Sequence, residues 1–301
     1  VLSYIGVIVA YRYEFPFEEN YFDIDGVRMH YVDEGKGPVI LMMHGEPTWS
    51  YLYRKMIPPL VNAGYRCIVP DLIGFGLSDK PEDESYYSLP RHIAQITALM
   101  ENLKVKDVTI VGQDWGGPIS LGYAIENQKD IKSLVILNTL VAPMKLPGPF
   151  RLLFTHGAFS SFLIRKLDLM RKLALSAGFH RKLDPRAKTQ YLMPHPTPQS
   201  RGGVASFPKL VPAAPGHPNF EYITNIGETL KTWNLPVLVN FSDKDIAFKV
   251  KDGERIAAMV PNGRFQVIRN AGHFLQEDAG REIADNIIAF LKAEVWNSAA
   301  D

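Results

Sequence analysis

The seven residues Val111-Gly112-Gln113-Asp114-Trp115-Gly116-Gly117 constrain this chain more than any other stretch. They close an apolar run (Val108, Ile110, Val111) and open a helical pattern, which predicts a strand turning sharply into a helix. A carboxylate, Asp114, falls where strand-to-helix elbows commonly carry a serine. An ionised Asp is nucleophilic at neutral pH without a base to activate it, and its natural target is a saturated carbon bearing a leaving group. Attack on a C–halogen or C–O bond therefore suits it better than attack on an ester.

Around this elbow, short apolar runs alternate with helical stretches: Val27–Val32, Val39–Met43, Cys67–Val69, Leu134–Leu137, Val237–Phe241 and Phe265–Ile268 join Val108–Val111. The alternation predicts an α/β fold, a mainly parallel sheet covered by helices on both faces. Ile283, Ile287 and Leu291 mark one stripe of the last helix, with Asp278 near its positive end. From 141 to 229 the strand rhythm stops and Pro-bounded helical patterns take over, which predicts a helical cap inserted into a core made of 1–140 and 230–301.

Lys and Arg (33) nearly balance Asp and Glu (32), for a net charge of +1, so nothing in the bulk charge calls for a nucleic-acid partner. Nine basic residues between Arg151 and Lys188 read first as a solvated helix face and second as a surface facing anionic lipid. Cys67, the one cysteine, reads as a small buried hydrophobe. With no intrachain disulfide to form, the chain suits the cytoplasm, or a membrane-proximal or periplasmic place if a segment upstream of Val1 has been removed. Val1–Ala10 is apolar but too short to cross a bilayer, and reads first as an extended segment on the domain and second as the end of a membrane anchor or a contact with another subunit.

Three further motifs fall at strand ends. Met43-His44-Gly45-Glu46-Pro47 follows an apolar strand, and such a turn supplies one oxyanion-binding N–H while the residue after the nucleophile supplies the other. Those donors are the amides of Glu46 and Trp115, with His44 a structural brace. His273, in Ala271-Gly272-His273-Phe274 after the last strand, reads as the general base. Its orienting acid should follow Val237–Phe241, where Asp243 and Asp245 both stand; Asp245 is favoured because the later position lets the loop turn inward. No histidine pair has metal-binding spacing, and nothing calls for a cofactor.

Four segments together resemble the haloalkane dehalogenases of the α/β-hydrolase superfamily: His44-Gly45-Glu46-Pro47-Thr48-Trp49, Pro70-Asp71-Leu72-Ile73-Gly74-Phe75-Gly76, Gln113-Asp114-Trp115-Gly116-Gly117 and Gly272-His273-Phe274-Leu275-Gln276-Glu277. Glu46 points to the subgroup whose acid follows the penultimate strand. The resemblance implies an eight-stranded sheet, and an alkyl ester on Asp114 hydrolysed by water through His273 and Asp245. It also implies a halide held by the Trp115 indole. The partners are then a small apolar haloalkane, water and the released halide, with no cofactor. Phe207 and Pro208 resemble residues that wall the halide site.

The chain departs from that pattern in the cap. Its four tryptophans are Trp49, Trp115, Trp233 and Trp296, and Leu153 stands where the subgroup carries a second halide-binding Trp. Leucine donates no hydrogen bond, and loss of one donor to a developing anion costs about 2.7–4 kcal/mol. His195, in Met193-Pro194-His195-Pro196, is a candidate replacement on the pocket, or a packing residue. Two other readings compete: an epoxide hydrolase using Tyr191 or Tyr222 as its acid, and a degenerate binder of apolar ligands. The absence of Gly-x-Ser-x-Gly argues against a serine esterase.

Overall fold

A computed structural model describes residues 12–143 and 157–296; Val1–Ala10 and Leu153 lie outside them. The strands are β1 (Asn20–Ile24), β2 (Val27–Glu34), β3 (Val39–Met43), β4 (Arg66–Pro70), β5 (Val108–Gln113), β6 (Ile131–Leu137), β7 (Val237–Ser242) and β8 (Gly263–Ile268). They form one eight-stranded sheet in the order β1-β2-β4-β3-β5-β6-β7-β8, parallel from β4 through β8 and antiparallel where β2 meets β1 and β4.

Seven strands coincide with the apolar runs of the sequence. The eighth, β1, escaped because only its alternate residues are partly covered. A signal for it exists. Asp25-Gly26 joins β1 to β2 with both residues at positive φ (52° and 77°), the two-residue hairpin turn that Asp-Gly favours.

Central strands β3, β5 and β7 are buried along their whole length, as parallel strands covered on both faces must be. Alternate residues feed two cores: Leu41 and Met43 enter one with Ile110, while Ile40 and Met42 enter the other with Val111. Cys67 is fully buried in the second. Burying one such aliphatic side chain stabilises the fold by about 1.5–3 kcal/mol.

The helices of the core are α1 (Ile57–Asn62), α2 (Leu89–Asn102), α3 (Gly116–Glu126), α9 (Val250–Met259) and α10 (Leu275–Phe290). Between β6 and β7 come α4 (Gly157–Leu167), α5 (Leu169–Ala177), α6 (Pro185–Leu192), α7 (Gly202–Ser206) and α8 (Phe220–Leu230), with no strand among the described residues of this insertion. Helix α6 starts where Asp184 accepts the Arg186 amide (2.7 Å) and Pro185 takes the first turn, a position that needs no N–H. No described helix is long and apolar enough to cross a membrane.

Polar links hold the insertion to the core. Arg54 grips Glu277 through two bonds (2.6 and 2.9 Å), and Glu277 also accepts from Lys55 and from Tyr191 Oη of α6 (2.7 Å). Asp278 accepts the amides of His180, Arg181 and Gly272 (2.8–2.9 Å), so the acids at the start of α10 tie the cap to the loop that carries His273. Three arginines of the basic run are ion-paired: Arg165 with Glu82 and Glu84, Arg171 with Asp168 and Arg186 with Asp184.

Burial alone would raise the Glu277 pKa, but hydrogen bonds and charge from Arg54, with Lys55, lower it to about 2. Because the folded value lies below the unfolded one, this stabilisation is complete above the ordinary carboxylate range and fades as pH falls through about 2. Glu277→Ala leaves a guanidinium buried without its anion and should cost about 3–5 kcal/mol in urea unfolding at neutral pH. A cost below about 1 kcal/mol would show that this buried ion pair contributes little to the stability of the core.

Candidate active site

All the chemically capable residues gather at the carboxyl edge of the parallel strands, where open α/β sheets place their sites. Asp114 follows β5 with φ 51°, a left-handed conformation that costs a non-glycine residue free energy. Neighbours hold it there: its amide donates to Asn138 O (3.1 Å), and its own carbonyl accepts from Thr139 Oγ1 (2.6 Å) and the Gly117 amide (3.0 Å). Gly116 permits the turn, since a Cβ there would lie 2.1 Å from Met43 O.

The turn after β3 presses on Asp114 from the other side. A Cβ on Gly45 would sit 2.3 Å from Asp114 Oδ1, so only glycine lets this backbone approach. The Glu46 amide then donates to Asp114 Oδ1 at 2.9 Å. His44 braces the turn, its Nε2 accepting the Leu72 amide (3.0 Å) and its Nδ1 lying 3.0 Å from Gly45 O; burial lowers its pKa and keeps it neutral. No hydrogen bond joins the Trp115 amide to the Asp114 carboxylate in this state, but Trp115 caps α3, whose first amides lack helical partners.

His273, after β8, has Nδ1 2.9 Å from Asp245 Oδ2 and Nε2 3.5 Å from Asp114 Oδ2. Asp245 is fully buried at its carboxylate and fixed by the Ala247 amide (2.6 Å). Asp243 turns away to accept the Asn270 amide (2.7 Å). Burial favours loss of the imidazolium proton, but the Asp245 charge, with the hydrogen bond and charge of Asp114, outweighs it and raises His273 to about 10.

Two residues that sequence reasoning passed over brace this arrangement. Asn138 bonds reciprocally with Ser242 (2.7 and 2.9 Å) and reaches His273 O (3.2 Å), linking the ends of β6 and β7 to the His273 loop. Gln113 places Nε2 3.3 Å from both His273 Nε2 and His273 O. The available signal was position: each is a polar amide at the end of a buried apolar strand, where its cost requires partners.

Asp114, Glu46, Trp115 and His273 line a chamber of about 240 Å³. The rest of its described wall is apolar, with Met170, Leu173 and Ala174 from α5 facing Leu140, Phe248 and Phe274 of the core. Trp115 is 4% exposed, with its ring edge-on to Phe207 at 5.7 Å. A larger cleft of about 530 Å³ lies alongside, but neither Asp114 nor His273 lines it.

The cap candidates fall elsewhere. Phe207 is fully buried behind Trp115, against Phe75 (4.7 Å) and His92 (5.0 Å); neither it nor Pro208 lines the chamber. His195 is buried beside Phe75 with Nδ1 on Ser200 O (2.8 Å), and burial holds it neutral, so it is a packing residue and no chamber donor. Leu153 lies outside the described residues. Glu46 raises a separate question: its carboxyl is nearly enclosed, and burial next to the Asp114 charge lifts its pKa well above the ordinary range.

Comparison with known proteins accounts for this arrangement. Residues 38–280 match the family described as alpha/beta hydrolase fold. A haloalkane dehalogenase of Mycobacterium marinum is 37% identical over 290 residues, covering 92% of this chain and 94% of its own. A cis-3-alkyl-4-alkyloxetan-2-one decarboxylase of Shewanella oneidensis is 32% identical over 283 residues, covering 92% and 89%. The solved structure of haloalkane dehalogenase DpaA from Paraglaciecola agarilytica superposes with a TM-score of 0.78 at 30% identity, covering 91% of this chain and 92% of that one. With a carboxylate at the elbow of that fold and kinship over nine-tenths of its length, this chain belongs to the haloalkane dehalogenase family of α/β hydrolases.

Proposed function

We propose that this protein hydrolyses the carbon–halogen bond of small haloalkanes through an alkyl ester on Asp114, releasing an alcohol and a halide. The observation that carries the reading is the division of labour at one carboxylate. Asp114 Oδ1 is held by the Glu46 amide at 2.9 Å, while Oδ2 stands 3.5 Å from His273 on the wall of an apolar chamber. A nucleophile in such a wall is poorly solvated, which favours displacement at carbon.

In the first step Asp114 Oδ2 attacks the carbon, and the C–X pair leaves with the halide toward the Trp115 indole N–H. An indole donor stabilises a large soft anion without giving up its proton. In the second step a water gives its proton to His273 Nε2 and attacks the Asp114 carbonyl carbon. The oxyanion forms on Oδ1, against the Glu46 amide, with the Trp115 amide as second donor. Collapse expels the alkoxide, which takes the proton back from His273, while Asp245 orients the ring and steadies its charge.

Ester formation itself switches the base on. An esterified Asp114 is neutral, so its charge no longer supports the imidazolium, and the His273 pKa falls below about 10, which frees Nε2 at a lower pH than in the resting enzyme. Single-turnover rates should therefore split. Ester formation stays flat with pH once Asp114 is ionised, while ester hydrolysis rises with pH and levels off below about 10. Ester hydrolysis that ignores pH would contradict a base role for His273.

The tyrosines expected to serve an epoxide are engaged elsewhere: Tyr191 donates to Glu277 (2.7 Å), Tyr222 to Glu126 (3.0 Å), and neither lines the chamber. A binding protein without turnover has no use for the Asp114–His273–Asp245 contacts. The direct test is incubation with a primary bromoalkane, with bromide and alcohol measured together. Equal amounts of both are expected, and bromide release no faster than in buffer would refute the reading.

A further inference from the structure

Helix α4 turns large apolar side chains toward water. Ser160 and Ile164 face the protein, while Phe159 and Phe162 stand 53% and 54% exposed on another stripe, with Lys166 one turn beyond Phe162. Among the described residues six large hydrophobic side chains are exposed; three are on this helix (Phe159, Phe162, Leu167), and two more, Leu173 of α5 and Ile246 after β7, also line the chamber. Leu173 and Ile246 therefore mark where the chamber opens. Lys172 joins the two groups, since its Nζ donates to Leu167 O (2.9 Å) and the next residue is Leu173. The acids around this surface are already matched: Glu82 and Glu84 by Arg165 and Lys209, Asp168 by Arg171, Asp184 by Arg186. Lys166 and Lys172 are left exposed with no ion pair among the described residues, so the surface carries uncompensated positive charge beside its apolar rings.

Protein–protein interfaces are depleted in lysine, whereas helices that lie on membranes set lysine beside Phe and Leu. The rings enter the boundary of the acyl chains while the ammonium groups meet phosphate. We infer that α4 and the start of α5 dock on anionic phospholipid membranes, with Phe159, Phe162 and Leu167 entering the interface and Lys166 and Lys172 on the lipid phosphates. Leu173 continues the same edge, so docking sets the chamber mouth against the bilayer. An apolar haloalkane concentrates in lipid, and this mouth takes it up without a passage through bulk water. That last role rests on the function proposed above; the docking itself does not.

Flotation of the full chain with vesicles of phosphatidylcholine, alone or mixed with phosphatidylglycerol, tests the docking without any turnover. The protein should float with the mixed vesicles, stay behind with the neutral ones and come off in high salt. Lys166→Gln with Lys172→Gln should weaken binding about thirtyfold, since each lysine near an anionic surface is worth about fivefold. Phe159→Ser with Phe162→Ser should weaken it by about tenfold or more. Unchanged melting profiles show that both double variants are folded. No flotation with mixed vesicles, equal flotation with neutral ones, or binding untouched by either pair of substitutions overturns the proposal. So does a dimer in the absence of lipid that the Phe variant dissolves, which assigns the face to a second copy. Bromide release from a long-chain bromoalkane carried in mixed vesicles should fall with binding in both variants, while release from a short bromoalkane in water stays at the parental level. Release from vesicles that ignores the loss of binding overturns the uptake route. No bromide from either substrate removes the function proposed above and leaves the docking standing.

Discussion

Asp114→Ala is expected to abolish halide release, lowering kcat/KM by about four orders of magnitude or more, the scale on which removal of a nucleophile is felt. The reason is geometric as well as chemical. The β5–α3 elbow presents one carboxylate to the chamber beside His273, and the other acid on that wall, Glu46, is held toward its neutral form. Water bound by His273 cannot replace Asp114, because it has neither the negative charge nor the fixed position against the carbon that the carboxylate supplies. Alanine keeps the backbone of the elbow at a cost of about 1–2 kcal/mol for the left-handed conformation, which the packing around Asn138 and Thr139 can carry. Activity within tenfold of the parent, in protein with an unchanged melting profile, would show that the elbow is structural.

His273→Phe is expected to separate the two halves of the reaction. Nothing in the first step needs the imidazole, so one halide should appear per active site, followed by turnover slowed by about a thousandfold or more. The alkyl group should then be found as added mass on the peptide containing Asp114. Phenylalanine fits the site, since the ring already stacks on Phe248 (5.8 Å) and meets Phe274 edge-on (4.8 Å). Loss of turnover with no burst and no added mass would mean that His273 acts before the C–X bond breaks, the reverse of displacement first and base-assisted hydrolysis second.

Much of this site could be read from residues because its chemistry demands unusual ones at strand ends. Asp114 between an apolar strand and two glycines, Glu46 after His-Gly, and His273 after the last strand are costly choices for a mere connection, and the fold brings all three to one wall. Choosing between Asp243 and Asp245 was harder, since two carboxylates two residues apart are equivalent in one dimension. The backbone separates them, sending Asp243 to the Asn270 amide and Asp245 under the imidazole.

The cap was least legible, and the reason is physical. Strands point alternate residues to opposite faces, so an apolar run fixes which side chains face the core. Short helices joined by prolines leave that register open, so along the chain His195, Phe207 and Pro208 fit either the chamber wall or the cap packing, and they lie in the packing behind the wall. Charge misled in the same way. Asp278 reads along the chain as a helix-dipole residue, yet it is nearly enclosed and joins the backbone of His180 and Arg181 to the loop that carries His273.

The hydrolytic cycle rests on an ester between Asp114 and the substrate carbon, and a single turnover in H₂¹⁸O, with enzyme in excess over a primary bromoalkane, tests it most directly. In the ester route the alcohol takes its oxygen from Asp114, so the alcohol should be unlabelled and the Asp114 peptide should gain one ¹⁸O. Label in the alcohol and none in Asp114 would mean that water attacks the carbon itself, and the ester mechanism would be wrong at its centre.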